Sequence, residues 1–313
     1  MSFRHSLVAV ALASALLVGC GKDEPAAPVA PKAIAQTANA ASSMQAQVQA
    51  FRSNDLRALI STSVPPKELE RISAEWEKQR AEPITDQERQ EFAENWNKLT
   101  APDGVDKMMA EIEPQLAQVK PQLAGMIAMG QGMATMTIAQ STDLTDDQKQ
   151  QATQFLNGLS GWLSKTDFAD PALMRASLTA LADGLRATGI TTLDDVKALS
   201  FDQLLDKAGA AIGGVKNALA AYGFSLDTIA DSVKAEVLSE TGDVAKLKVT
   251  YALFDSPLSF ESEMQKVDGS WYGKDMLDQI AKAKAEEAAE IAAGSAESSQ
   301  GAEEEAEATE QQP

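Results

Sequence analysis

The chain has 313 residues, with 27 Lys and Arg against 46 Asp and Glu, for a net charge of −19. An acidic body repels phosphate backbones and anionic headgroups, which excludes nucleic-acid binding. The single histidine, His5, and the single cysteine, Cys20, sit near the N-terminus. The rest therefore lacks the side chains needed for Ser-His-Asp or Cys-His catalysis, haem ligation and typical zinc sites.

In chain order, Arg4 is the one fixed positive charge of Met1–His5, and an apolar run from Leu7 to Val18, interrupted by Ser14, follows it. A short basic start before about 7–15 apolar residues is the layout of a secretory signal, and the run is shorter than the about 20 residues that cross a bilayer. It closes on Leu17-Val18-Gly19-Cys20, which resembles the lipobox of bacterial lipoproteins. The resemblance implies cleavage before Cys20, diacylglycerol on its sulfur and an acylated new amino group, so residues 1–19 and His5 are removed. Lipidation also accounts for an unpaired cysteine in an exported chain. Each buried CH₂ contributes about 0.8 kcal/mol and a single acyl chain binds only reversibly, so three chains hold effectively permanently. In that family an Asp after the cysteine commonly retains the protein in the inner membrane. Here Gly21 follows, so the resemblance favours the periplasmic face of the outer membrane, with the inner membrane as the alternative.

Residues 20–41, with Pro25, Pro28 and Pro31, read as a flexible tether reaching on the order of 25 Å. Residues 42–225 read as a helical domain. Val48 and Phe51, then Leu56, Leu59 and Ile60, suggest two short helices broken near Ser53-Asn54. Pro65-Pro66 opens a helix with Leu69, Ile72 and Trp76 on one face. Thr85-x-x-Glu88 is a capping box ahead of Phe92, Trp96 and Leu99. Thr145-x-x-Gln148 caps a helix carrying Phe155, Leu159, Trp162 and Leu163. Asp170-Pro171 starts another that stops at Gly189, and Ser200-x-x-Gln203 begins one ending near Tyr222-Gly223. The aromatic residues on these stripes are expected in the core.

From residue 226 to 275 the period changes to two. Val233–Ser239, Val244–Phe254 and Leu258–Val267 alternate, and Gly242-Asp243, Ser256-Pro257 and Asp268-Gly269 lie between them as turns. With Trp271-Tyr272 as a last short strand, this predicts an antiparallel β-meander packed on the helices. Residues 276–292 form a final helix. Ala285–Pro313 carries nine Glu and no base, and residues 293–313 cannot bury enough apolar surface to fold. The expected fold class is α+β, predominantly helical. The short helices around residues 44–62 and the meander over 233–272, ending in Asp268-Gly269-Ser270-Trp271-Tyr272, resemble the periplasmic NTF2-like lipoproteins. That resemblance implies a curved sheet wrapped on a helix around a cavity. The helical stretch from Val105 to Gly223 departs from it, and no site residue carries over.

No charged residue lies between Lys120 and Asp143. Met126, Met129, Met133 and Met136 fall on one helical face there, and Ala124, Ala128 and Gly132 on a nearly opposite one. A helix apolar on all sides is expected to be surrounded, so Leu123–Gln140 reads as the central helix. Gly209 and Gly213 form a second small-residue strip, and the two strips are expected to pack together. The methionine face admits core packing, a groove for an apolar ligand or partner peptide, or copper(I) binding by thioethers. A membrane span is disfavoured by Gln122, Gln131 and Gln140. No metal or cofactor is otherwise implied. The composition favours a non-enzymatic binding or scaffold lipoprotein with a membrane contact through lipid and an envelope protein or apolar ligand as partner. The alternatives are a carrier with a Met-lined cavity and a carboxylate-based hydrolase.

Overall fold

The computed structural model describes residues 39–142, 144–254, 256–286 and 289. Cys20, residues 20–38 of the tether and the acidic tail beyond residue 290 lie outside these residues, whereas Asn39, Ala40 and Ala41, expected in the tether, cap and open the first helix. The architecture is α+β: a helical body, a four-stranded antiparallel sheet and a C-terminal helix.

The helices begin where side-chain acceptors satisfy the unpaired N–H groups of a first turn. Asn39 caps α1 (Ala40–Arg52) by accepting from Ser42 N, and Asp55 caps α2 (Leu56–Ser61) by accepting from Ala58 N. Between them Asn54 adopts a left-handed φ of 58°, which makes the break sharp. Pro66 opens α3 (Pro66–Ala81). Full capping boxes start α4 (Asp86–Thr100) at Thr85 and Glu88, and α6 (Asp146–Lys165) at Thr145 and Gln148. The longest helix, α5 (Gly104–Gln140), lies between these two. Asp170 accepts from Ala172 N and Leu173 N at the head of α7 (Pro171–Ala187), and Ser200 with Gln203 boxes α9 (Phe201–Ala221).

Two short helices were not expected. α8 (Leu193–Ala198) is held by Asp195, which accepts from Thr191 N, Thr192 N and Thr191 Oγ1; these bonds pull its pKa down to about 2. α10 (Leu226–Ser232), capped by Ser225, occupies the first residues assigned to the meander. Each is too short for its periodicity to register.

The sheet runs in the order β1 (Lys234–Thr241), β2 (Val244–Leu253), β3 (Ser256–Val267), β4 (Ser270–Gly273), with all neighbours antiparallel. Helix α11 covers residues 274–286. Alternation sends Ala245, Leu247, Val249 and Leu253 inward and leaves Lys248 exposed.

Three apolar clusters hold these elements. In one, Ala40 and Met44 of α1 lie on the sheet against Leu247, Val249, Met264 and Trp271. A second joins Ala50, Leu56, Ile60 and Val64 to Phe201 and Leu205 of α9, with Trp76 of α3 and Ile280 of α11 at its margin. The third is made by Val105 and Met109 at the start of α5 with Leu178 and Ala182 of α7. A ring cluster of Trp162, Phe168, Tyr222, Phe224 and Phe254 then fixes the end of α6 to the β2–β3 turn, with Trp162 Nε1 donating to Tyr222 O at 2.7 Å. Phe155, expected in the core with Trp162, is exposed two turns earlier.

Candidate functional site

Helix α5 is fixed on several sides over its first half and covered along one stripe over its second. At its start a Cβ on Gly104 would lie 2.7 Å from Lys98 O and 2.9 Å from Leu99 O, so only glycine lets α5 leave α4 this closely. Asp106 is ion-paired with Arg175 of α7, and Lys120 Nζ meets Asp167 Oδ2 at 2.5 Å. Pro114 and Pro121 lie within the helix without ending it, although each removes one backbone donor. Gln115 Nε2 donates to Glu111 O near the first proline, at 3.2 Å.

Beyond Lys120 the expected arrangement is not found. Met126, Met129, Met133 and Met136 are 54–64% exposed, so Leu123–Gln140 is not a surrounded central helix. The covered stripe consists of Leu123, Ile127, Gln131, Ala134 and Ile138, each half-buried. The absence of charge reflects one covered stripe and one open one. Ala124, Ala128 and Gly132 are exposed as well, and no atom lies within 4 Å of a Cβ placed on Gly132.

The second small-residue strip is buried, but against other partners. A Cβ on Gly209 would fall 2.4 Å from Asn54 O, and one on Gly213 would fall 3.0 Å from Asn54 Nδ2. Asn54, projecting from the α1–α2 break, is thus a wedge against α9. The next residue after Gly213, Gly214, meets Gly184 of α7, where a Cβ on either would approach the other's Cα to 2.5–2.8 Å. The close helix pair is therefore α7 with α9. The expected contact between Gly132 and Gly213 is corrected on this point. The strip pattern is common to both helices, and spacing alone does not say which strips meet.

Alongside that crossing runs an open groove of about 810 Å³, lined by Ala176, Thr179, Asp183, Gly184, Gly213 and Asn217 among others. No methionine lines it. Its carboxylates are engaged: Asp183 pairs with Arg186 at 3.0 Å and Asp206 with Arg57 at 2.8 Å. Arg57 also reaches Asp202 Oδ2 at 3.2 Å, yet burial pushes the Asp202 carboxyl above its ordinary pKa despite that guanidinium.

One buried charge went unrecognised in the sequence. Lys216, 3% exposed on α9, donates to Phe51 O at 2.6 Å, Arg52 O at 3.3 Å and Asp227 Oδ1 at 2.6 Å, and lies 4.3 Å from the Phe51 ring centroid. It closes the C-terminal carbonyls of α1 and suits the negative end of that helix. Its two carbonyl partners lie more than 160 residues away, so no local pattern reveals it. Full satisfaction makes it a structural tie.

Among the described residues no group of three or more His, Cys, Asp or Glu is placed to hold a metal ion, and no helix is long and apolar enough to cross a membrane. The methionine face of α5 is therefore the candidate site, a soft apolar surface suited to binding. Comparison with protein-family models, curated proteins and solved structures finds no match to this chain.

Proposed function

We propose that the chain is an envelope lipoprotein without enzymatic activity, held by lipid on Cys20 at the periplasmic face of the outer membrane, and that it binds or scaffolds another component through the distal half of α5. One observation carries the binding part: four methionines stand more than half exposed on an uncharged stretch of a chain with net charge −19. Exposed apolar patches that are continuous mark interaction sites, and flexible thioethers adapt to a partner's shape. The anchor rests on Leu17-Val18-Gly19-Cys20 and the apolar run before it. The packing of α1 on the sheet supports the likeness of residues 44–62 and 233–272 to the NTF2-like lipoproteins.

Cell fractionation tests the anchor. The native chain should sediment with membranes through a high-salt wash and band with outer-membrane markers, whereas Cys20→Ser should move to the soluble fraction. A Cys20→Ser chain that still pellets with membranes would sink the lipid anchor.

A further inference from the structure

Met126, Met129, Met133 and Met136 follow one another by steps of three, four and three residues, an order that reads the same in both directions about Gln131. At about 100° per residue they form one stripe, lying roughly 150° around α5 from the half-buried stripe of Leu123, Ile127, Ala134 and Ile138. The distal helix thus has two opposite apolar faces, of which one is covered.

We propose that a second copy of this chain covers the other, with two α5 helices pairing antiparallel through their methionine stripes across a two-fold axis at the level of Gln131, whose own side chain lies on the covered stripe. This rests on the reading of the methionine face as a binding surface and names its partner. A closed two-fold contact places the same patch against itself, so residue i meets j wherever j meets i. About Gln131 that puts Met126 against the partner subunit's Met136, and Met129 against the partner subunit's Met133. The symmetric step order is what such a register requires. Gly130 and Gly132 fall on equivalent positions about the same axis, at the two edges of the methionine stripe. A Cβ on Gly130 or Gly132 would have nothing within 4 Å, leaving room for a second backbone.

Charge narrows the choice of occupant. Two copies of an acidic chain repel, and the stretch between Lys120 and Asp143 is where they meet without opposing like charges. A helix that lies on a bilayer carries Lys or Arg on its polar face and bulky aromatic residues on the other. Here the flanks carry Glu111, Glu113 and Asp146, while Lys120 is held by Asp167. The exposed methionines with Val119 offer on the order of 400 Å² per copy, the size at which a patch marks an interface. With the flanking small residues, the pair buries on the order of 1,000 Å² in total, near the lower end for specific complexes.

Sedimentation equilibrium of the full chain carrying Cys20→Ser, at micromolar concentration, tests this apart from the anchor. The expected mass is twice the 33.2 kDa of one chain. The double variant Met129→Glu/Met133→Glu should bring it down twofold, with the helical circular dichroism unchanged because both side chains are exposed in the single chain. A parent of single-chain mass throughout, or a charged variant that keeps the doubled mass, overturns the proposal. Mixing Met129→Cys chains with Met133→Cys chains should give a disulfide-linked dimer under mild oxidation far faster than mixing Met126→Cys with Met129→Cys. Equal yields overturn the antiparallel register. Flotation with phosphatidylcholine vesicles sorts the failures. A monomer that floats through its methionines loses the self-pairing but keeps the binding face, while a monomer indifferent to vesicles loses both. Neither result touches the anchor, which stands or falls on membrane sedimentation of the acylated chain.

Discussion

Helix α9 and the distal half of α5 carry the same signature and meet opposite fates. Both have small residues at four-residue spacing among apolar neighbours, Gly209 and Gly213 on one and Ala128 and Gly132 on the other. On α9 the Asn54 wedge and Gly184 of α7 fill the space to within contact distance; on α5 the strip faces open space. Periodicity shows that a face is apolar. Whether anything covers it depends on elements far away in sequence, which no window of one helix contains.

The contrast can be tested by making one substitution in both places. Gly214→Ala drives a methyl group into the α7 backbone and should destabilise the fold by about 3 kcal/mol, seen as a lower urea midpoint. An unchanged midpoint would mean that α7 and α9 do not approach as described. Lys216→Met, on the covered side of the same helix, takes a charged donor from Asp227, which keeps Arg52 at 3.2 Å, from Phe51 O, which keeps Asn54 N at 3.2 Å, and from Arg52 O. Asp227 is a third exposed and water can reach it, so the expected loss is about 2 kcal/mol by the same measurement. A loss under half of that would show the tie to be dispensable. Gly125→Ala, on the open half of α5, removes a flexible residue from a helix with nothing near its Cβ. In dilute protein it should stabilise by about 1 kcal/mol. A destabilisation would place a neighbour against α5 that the monomer lacks, and would erase the contrast.

Much of the fold was legible because its signals are local. Thr85, Thr145, Asp170 and Ser200 cap their helices through bonds to residues two or three positions away, and the alternation from Val244 to Leu253 sorts the sheet's two faces. The short helices α8 and α10 escaped notice because six or seven residues make fewer than two turns. At the candidate site the four methionines were identified as one face, while their exposure was not. The Asn54 wedge and the Lys216 tie escaped for the same reason as that exposure: each joins residues more than 150 positions apart.

Pro114 and Pro121 stand seven residues apart, which is two turns less about 20°, so both missing backbone donors fall along one flank of α5. A rod with rungs removed along one side bends readily in one plane and resists bending in the plane at right angles. Bending there moves the far end together with the chain that covers Leu123, Ile127, Ala134 and Ile138, while Val105 and Met109 stay seated at its root. Whatever that end grips, sideways load is taken up as flexure of the rod before it reaches the packed body.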